Sequence, residues 1–159
     1  MRGAAGQDSL WPLSGRHPAR RAALVTEASP LKAISTFPDP RGTLGVIEVA
    51  RDLPFEVERI YFVTGLQSDL PRGFHAHHRT RQFAVCVAGS CRFVMAWPDG
   101  RSEDFILDTA AQGILIDRMV WHEMHDFSED CVLLVLADLP YDEADYIRRR
   151  DAWEALVRG

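Results

Sequence analysis

The stretch that decides the fold is Arg72-Gly73-Phe74-His75-Ala76-His77-His78-Arg79-Thr80-Arg81-Gln82, which runs on through an apolar segment to Gly89. In a β-strand, side chains two apart share one face. His75 and His77 therefore project together, into the interior or away from it. Gln82 follows His77 by five positions, and Gly89 follows Gln82 by seven. Paired imidazoles on one strand face point to acid–base or metal chemistry, because imidazole changes charge near neutral pH and also binds metals.

Outward from this stretch the pattern stays β. Gln82 to Ala88 and Cys91 to Trp97 are apolar runs parted by Gly89-Ser90, which predicts a two-residue hairpin. Trp97-Pro98-Asp99-Gly100 predicts a second turn, leading into a strand from Ser102 to Asp108. Further strands are expected at Gly113 to Ile116, Val120 to His125 and Cys131 to Ala137. Upstream, Thr43 to Val49 is β-branched, Val57 to Thr64 alternates, and the β pattern begins at Leu31. Many short strands joined by close turns predict an all-β fold, an antiparallel sandwich or barrel. Asp142 to Val157 differs. Tyr146, Trp153 and Leu156 recur there at helical spacing, so a short C-terminal helix is expected outside the sheet, with Arg148-Arg149-Arg150 as its solvated face. Residues 1–28 show no periodicity and read as a disordered tail, with an Arg-rich presequence as the alternative. Residues 29–159 then form one domain.

Composition narrows the function. The 159 residues are 47% hydrophobic and 26% charged, ordinary values for one globular domain. A net charge of −5 disfavours a nucleic-acid binder. No apolar run is long enough to span a membrane. Cys86, Cys91 and Cys131 lie in apolar runs outside any CxxC pair and read as buried reduced thiols of a cytoplasmic protein.

The spacing around His75 matches the first cupin motif, His-x-His-x(3,4)-Glu-x(6)-Gly, with Gln82 in the carboxylate position. A second motif follows in part at Trp121-His122-Glu123-Met124-His125. Met124 takes the strict third-His position, with His122 on its strand face and His125 on the other. A metal cupin holds a divalent ion with three His and one Glu. A neutral amide and a thioether replace two of those ligands here. The preferred reading is a cupin jelly-roll barrel or sandwich without metal or cofactor, its histidines acting as acid–base groups. A metal-dependent cupin enzyme is the alternative.

Residues Asp39 to Trp153 resemble the nucleotide-sugar 3,4-ketoisomerases, which are WxcM-like cupins. The resemblance rests on Arg41-Gly42-Thr43-Leu44, Arg59-Ile60-Tyr61-Phe62, Arg72-Gly73-Phe74-His75-Ala76-His77, Trp121-His122-Glu123-Met124-His125-Asp126-Phe127-Ser128 and Tyr141-Asp142-Glu143-Ala144-Asp145-Tyr146-Ile147-Arg148. It implies a homodimer with exchanged N-terminal strands and metal-independent tautomerisation of dTDP-4-keto-6-deoxy-D-glucose. It also implies that His75 is the catalytic base. His77 is the second shuttle or orients the sugar. Tyr61 could hold an oxyanion or be an ordinary strand aromatic. Arg59 and Arg72 are candidates for the diphosphate, or partners of carboxylates. The pairing of Arg41 with His122 resembles members that form the galacto-configured product. A sugar-nucleotide-binding module without activity is a further alternative.

Overall fold

The computed structural model describes residues 29–159, so the tail expected at 1–28 lies outside the described residues. The strands in chain order are β1 (Leu31–Ala33), β2 (Ser35–Asp39), β3 (Gly42–Val46), β4 (Arg59–Val63), β5 (Arg72–His77) and β6 (Gln82–Ala88). They continue with β7 (Cys91–Ala96), β8 (Ser102–Leu107), β9 (Gln112–Ile116), β10 (Trp121–His125), β11 (Val132–Ala137) and β12 (Tyr146–Ile147). A short helix α1 (Val49–Asp52) follows β3, and α2 (Arg150–Arg158) follows β12.

Two antiparallel sheets of five strands stack as a sandwich, in the orders β1-β9-β6-β11-β4 and β12-β5-β10-β7-β8. The expected all-β jelly roll is what forms, as an open sandwich and not a closed barrel. β2 and β3 make a separate two-stranded ribbon that pairs with neither sheet.

The core follows from alternation. On β6, Ala84 and Cys86 point between the sheets, where they meet Phe93, Met95, Ile114 and Leu133. Phe83 and Val85 take the opposite face, against Leu53, Phe55 and Leu136. On the outer face of the second sheet, Ala76 and Trp121 pack against Trp153 of α2. The indole of Trp153 donates to the Met119 carbonyl at 2.7 Å, which ties α2 to the loop before β10.

Three expectations are corrected. Gly89-Ser90 does not close a hairpin. β6 pairs with β9 and β11, whereas β7 pairs with β8 and β10, so this turn carries the chain from one sheet to the other. The glycine signal is a close approach as well as a turn: a Cβ at Gly89 would lie 2.1 Å from Ser128 Oγ. Tyr146 is not helical. It pairs with His77 in a two-residue strand, and the helix begins only at Arg150. Arg148 consequently lies off the helix, stacked over the Tyr146 ring at 4.3 Å. The first β-branched strand ends at Val46, and Val49 opens α1 instead.

Candidate active site

A backbone irregularity builds the site. His122 pairs with His75, but Glu123 pairs with Gly73, so Phe74 is the extra residue of a β-bulge. Gly73 and Phe74 both adopt positive φ, 90° and 53°. Non-glycine residues rarely occupy that region, and bulges of this kind redirect side chains near active sites. Here the bulge sets His75 edge to face with His122, their ring centroids 4.3 Å apart. His77 follows on the same face, 4.9 Å from His75. Only glycine fits at 73, because a Cβ there would stand 2.8 Å from the His122 carbonyl oxygen.

Among the described residues the buried polar ones are His77, Thr80, Gln82, His122 and Asp145; Thr80, Gln82 and Asp145 lie around the histidines. The Asp145 carboxylate accepts from His77 Nδ1 at 3.1 Å, from the Thr80 hydroxyl at 2.5 Å and from the Thr80 and Arg79 amides. Burial pushes the Asp145 carboxyl up, but these donors outweigh it and hold the group below its ordinary range. With Nδ1–H given to Asp145, His77 Nε2 carries a lone pair, and the Gln82 amide donates to it at 3.2 Å. Both nitrogens of His77 are therefore occupied. Burial, with His75 as neighbour, lowers its pKa to about 4. His122 is lowered well below its ordinary value, first by burial and then by the two other imidazoles.

His75 differs. Its Nδ1–H donates to the Gly73 carbonyl at 2.9 Å, which fixes the tautomer and leaves the Nε2 lone pair with no hydrogen-bond partner among the described residues. Burial lowers its pKa, so the ring is neutral at pH 7.

The facing sheet contributes Tyr61 on β4, whose phenol is pushed up to about 12 by burial and by Tyr146, and so stays protonated. Arg59, on the same face of β4, lies 5.4 Å from the Tyr61 ring and 5.8 Å from that of Tyr141. Its Nε is the one buried side-chain polar atom without a hydrogen-bond partner among the described residues. Tyr146 covers His75 and His77 at 5.0 and 4.3 Å. Arg148 stacks on Tyr146 and forms a two-point ion pair with Glu143.

His75, His77, His122, Tyr61 and Arg59 thus lie in one region of the fold. Arg41 and Arg72 do not join them within one chain. Arg41 sits at the tip of the ribbon, exposed and paired with Asp39, and Arg72 begins β5 facing solvent. Sequence reasoning missed Asp145 and Tyr146, which it placed on a helix, and read Gln82 only as a replaced ligand.

A divalent metal does not fit among the histidines. His77 has both nitrogens engaged, Gln82 offers a neutral amide, and Met124 packs into the apolar core. Neutral imidazole bases beside a buried phenol suit proton transfer next to a carbonyl.

The family described as FdtA: WxcM-like, C-terminal matches residues 27–158. The chain belongs to that family. Among its relatives, the TDP-4-oxo-6-deoxy-alpha-D-glucose-3,4-oxoisomerase of Aneurinibacillus thermoaerophilus is 44% identical over 120 residues, which is 75% of this chain and 85% of the relative. A solved 3,4-ketoisomerase from Helicobacter canadensis has 34% identity and a TM-score of 0.77, covering 81% of this chain and 96% of the other. The sugar 3,4-ketoisomerase QdtA from Thermoanaerobacterium thermosaccharolyticum, solved with TDP, has 38% identity and a TM-score of 0.77, covering 80% and 93%. A variant of QdtA was solved with TDP-4-keto-6-deoxyglucose, and it matches with a TM-score of 0.78 at 35% identity, covering 84% and 96%.

Proposed function

We propose that this chain converts dTDP-4-keto-6-deoxy-D-glucose to the 3-keto-6-deoxy sugar nucleotide by moving a proton through an enediol. The chain is an isomerase of the sugar-nucleotide 3,4-ketoisomerase type, in keeping with its 44% identity to such an enzyme. The observation that carries the mechanism is the open Nε2 lone pair of a neutral His75. Nε2 takes the proton from C3, and the electrons of the C–H bond flow toward the C4 carbonyl oxygen, which takes up a proton to give the enediol. A proton then reaches C4, the O3 proton leaves, and the ketone re-forms at C3. Nothing is oxidised or reduced overall.

The roles of the other groups follow from their surroundings. Tyr61, protonated and buried, donates to the oxygen that gains charge. His77, held by Asp145 and Gln82, is the second shuttle or orients the sugar. The unpartnered Nε of Arg59 suits a diphosphate oxygen, because buried donors are nearly always satisfied in a working complex. Arg72 would reach the same group from the start of β5. Arg41 and His122 form the pairing that resembles galacto-forming members, so the product is galacto-configured at C4.

The working unit in this proposal is a homodimer in which the β2–β3 ribbon crosses to the partner subunit. A ribbon outside both sheets, with Phe37 and Leu44 exposed on it, supports that reading. No helix among the described residues is long and apolar enough to cross a membrane, and the cysteines form no disulfide. Free thiols suit work in the reducing cytoplasm.

Incubation with dTDP-4-keto-6-deoxy-D-glucose in deuterated buffer, followed by NMR, tests the proposal. A 3-keto product with solvent deuterium at C4 is the expected result. Unchanged substrate, or a product without that label, overturns it.

A further inference from the structure

The ketoisomerase chemistry uses none of the cysteines, yet the fold gathers them. Cys86 ends the inward face of β6, Cys91 opens β7, and Cys131 precedes β11. Their three sulfurs lie within 4.8 Å of one another, and Cys86 and Cys131 approach to 3.7 Å. Among the described residues, this is the one group of three or more His, Cys, Asp or Glu whose ligand atoms converge so closely.

The convergence is built by specific contacts. Gly89 lets the loop before β11 lie against the turn between β6 and β7, because a Cβ there would collide with Ser128, Asp130 and the Cys131 amide. The Ser90 amide donates to Ser128 Oγ at 2.8 Å, and the Ser128 amide returns a bond to the Ser90 carbonyl at 2.9 Å. The Cys131 amide donates to the Ser128 carbonyl at 3.0 Å. Cys131 is thereby held between the other two thiols. The cluster stands apart from the histidines, since Cys86 is four residues beyond Gln82 on β6, about 13 Å at ~3.3 Å per residue.

We propose that Cys86, Cys91 and Cys131 form a binding site for one soft cation of the monovalent copper class. Metal–sulfur bonds of about 2.3 Å around a trigonal ion need sulfurs about 4 Å apart, which matches the observed spacing. Soft thiolate donors select soft ions. Tetrahedral zinc needs a fourth ligand, and among the described residues only these three sulfurs converge within 4.8 Å. A low-charge ion of low coordination number meets both limits. On binding, each of the three S–H bonds breaks as a copper–sulfur bond forms, Cys86 giving up the proton it now donates to the Ala88 carbonyl, and the three protons pass to solvent. No electron is transferred.

The test is an anaerobic titration of the full, reduced chain against the Cu(I)–bicinchoninate complex, with copper K-edge absorption on the product. One equivalent withdrawn per chain with sulfur neighbours is the expected result. Cys91→Ser and Cys131→Ser should each weaken the competition at least tenfold, whereas His75→Asn should not change it. The absorption measurement on the wild type stands even if a cysteine variant folds poorly. Failure to withdraw one equivalent, nitrogen neighbours at the copper, or loss of binding in His75→Asn would overturn the assignment. None of these outcomes bears on isomerase activity, so the two readings fail separately.

Discussion

His75 and His77 sit side by side on one strand and have different capacities. Asp145 and Gln82 occupy both nitrogens of His77, whereas Gly73 occupies only one of His75. His75→Asn should therefore lower turnover by roughly 10²–10⁴-fold, the usual contribution of a general base. Calorimetry should still find dTDP bound, because the substitution keeps size and polarity. Near-normal turnover in this variant would transfer the base to another group. The same burial sets a pH dependence. An unfolded histidine takes up its proton near pH 6.5, but folded His77 resists until about pH 4 and folded His75 also lies below its ordinary value. Stability is complete above about pH 6.5 and falls as pH drops toward 4, because the unfolded chain then binds more protons. Thermal melting across that interval should show the decline, and His77→Gln should make it shallower. An unchanged slope would remove His77 from the account.

At the scale of elements, the bulge in β5 aims the face that carries His75 and His77. Gly73→Ala places a methyl group against the His122 carbonyl at a φ of +90°. A stability loss of about 1–3 kcal/mol and a sharp fall in turnover are expected. Gly100→Ala makes a control, since its φ is +89° but nothing lies within 4 Å of the added carbon. That variant should lose some stability and keep its turnover, by melting and by NMR assay. If the two variants behave alike, backbone strain alone explains Gly73. The histidine pair itself is legible from sequence, because alternation along β5 is local. So are most strands and the turn between β7 and β8, where the turn residues and the ladder agree. The turn at Gly89-Ser90 misleads, because turn chemistry reports a reversal and not which strands pair afterwards. Asp145 and Tyr146 were hidden for a related reason. A two-residue strand carries no periodicity, and the bond from His77 to Asp145 spans 68 positions. Only the assembled sheet brings them together.

At the scale of the whole molecule, two predicted participants, Arg41 and Arg72, stand outside the cluster within one chain. Arg41 lies on a ribbon that joins neither sheet, and Ile60 and Phe62 expose 64% and 70% of their surface on the outer face of edge strand β4. Both observations fit a two-fold partner that covers β4 and receives the ribbon. Arg41→Ala and His75→Asn should each lower turnover, and mixing the two after unfolding and refolding together should restore part of the activity. One site of each mixed dimer would then hold both intact residues. No recovery, or a monomer in sedimentation, would count against exchange of the ribbon. The small strand β12 has a different consequence, one of heat and time. The wall of the pocket beside His77 hangs on two ladder residues and on α2, pinned through Trp153 to Met119. So small a ladder can open locally well below the free energy that unfolds the sandwich. Warming should therefore silence the enzyme while circular dichroism still reports intact sheets, and cooling should revive it. Trp153→Phe, which deletes the pin and keeps the ring, should widen the gap between inactivation and melting.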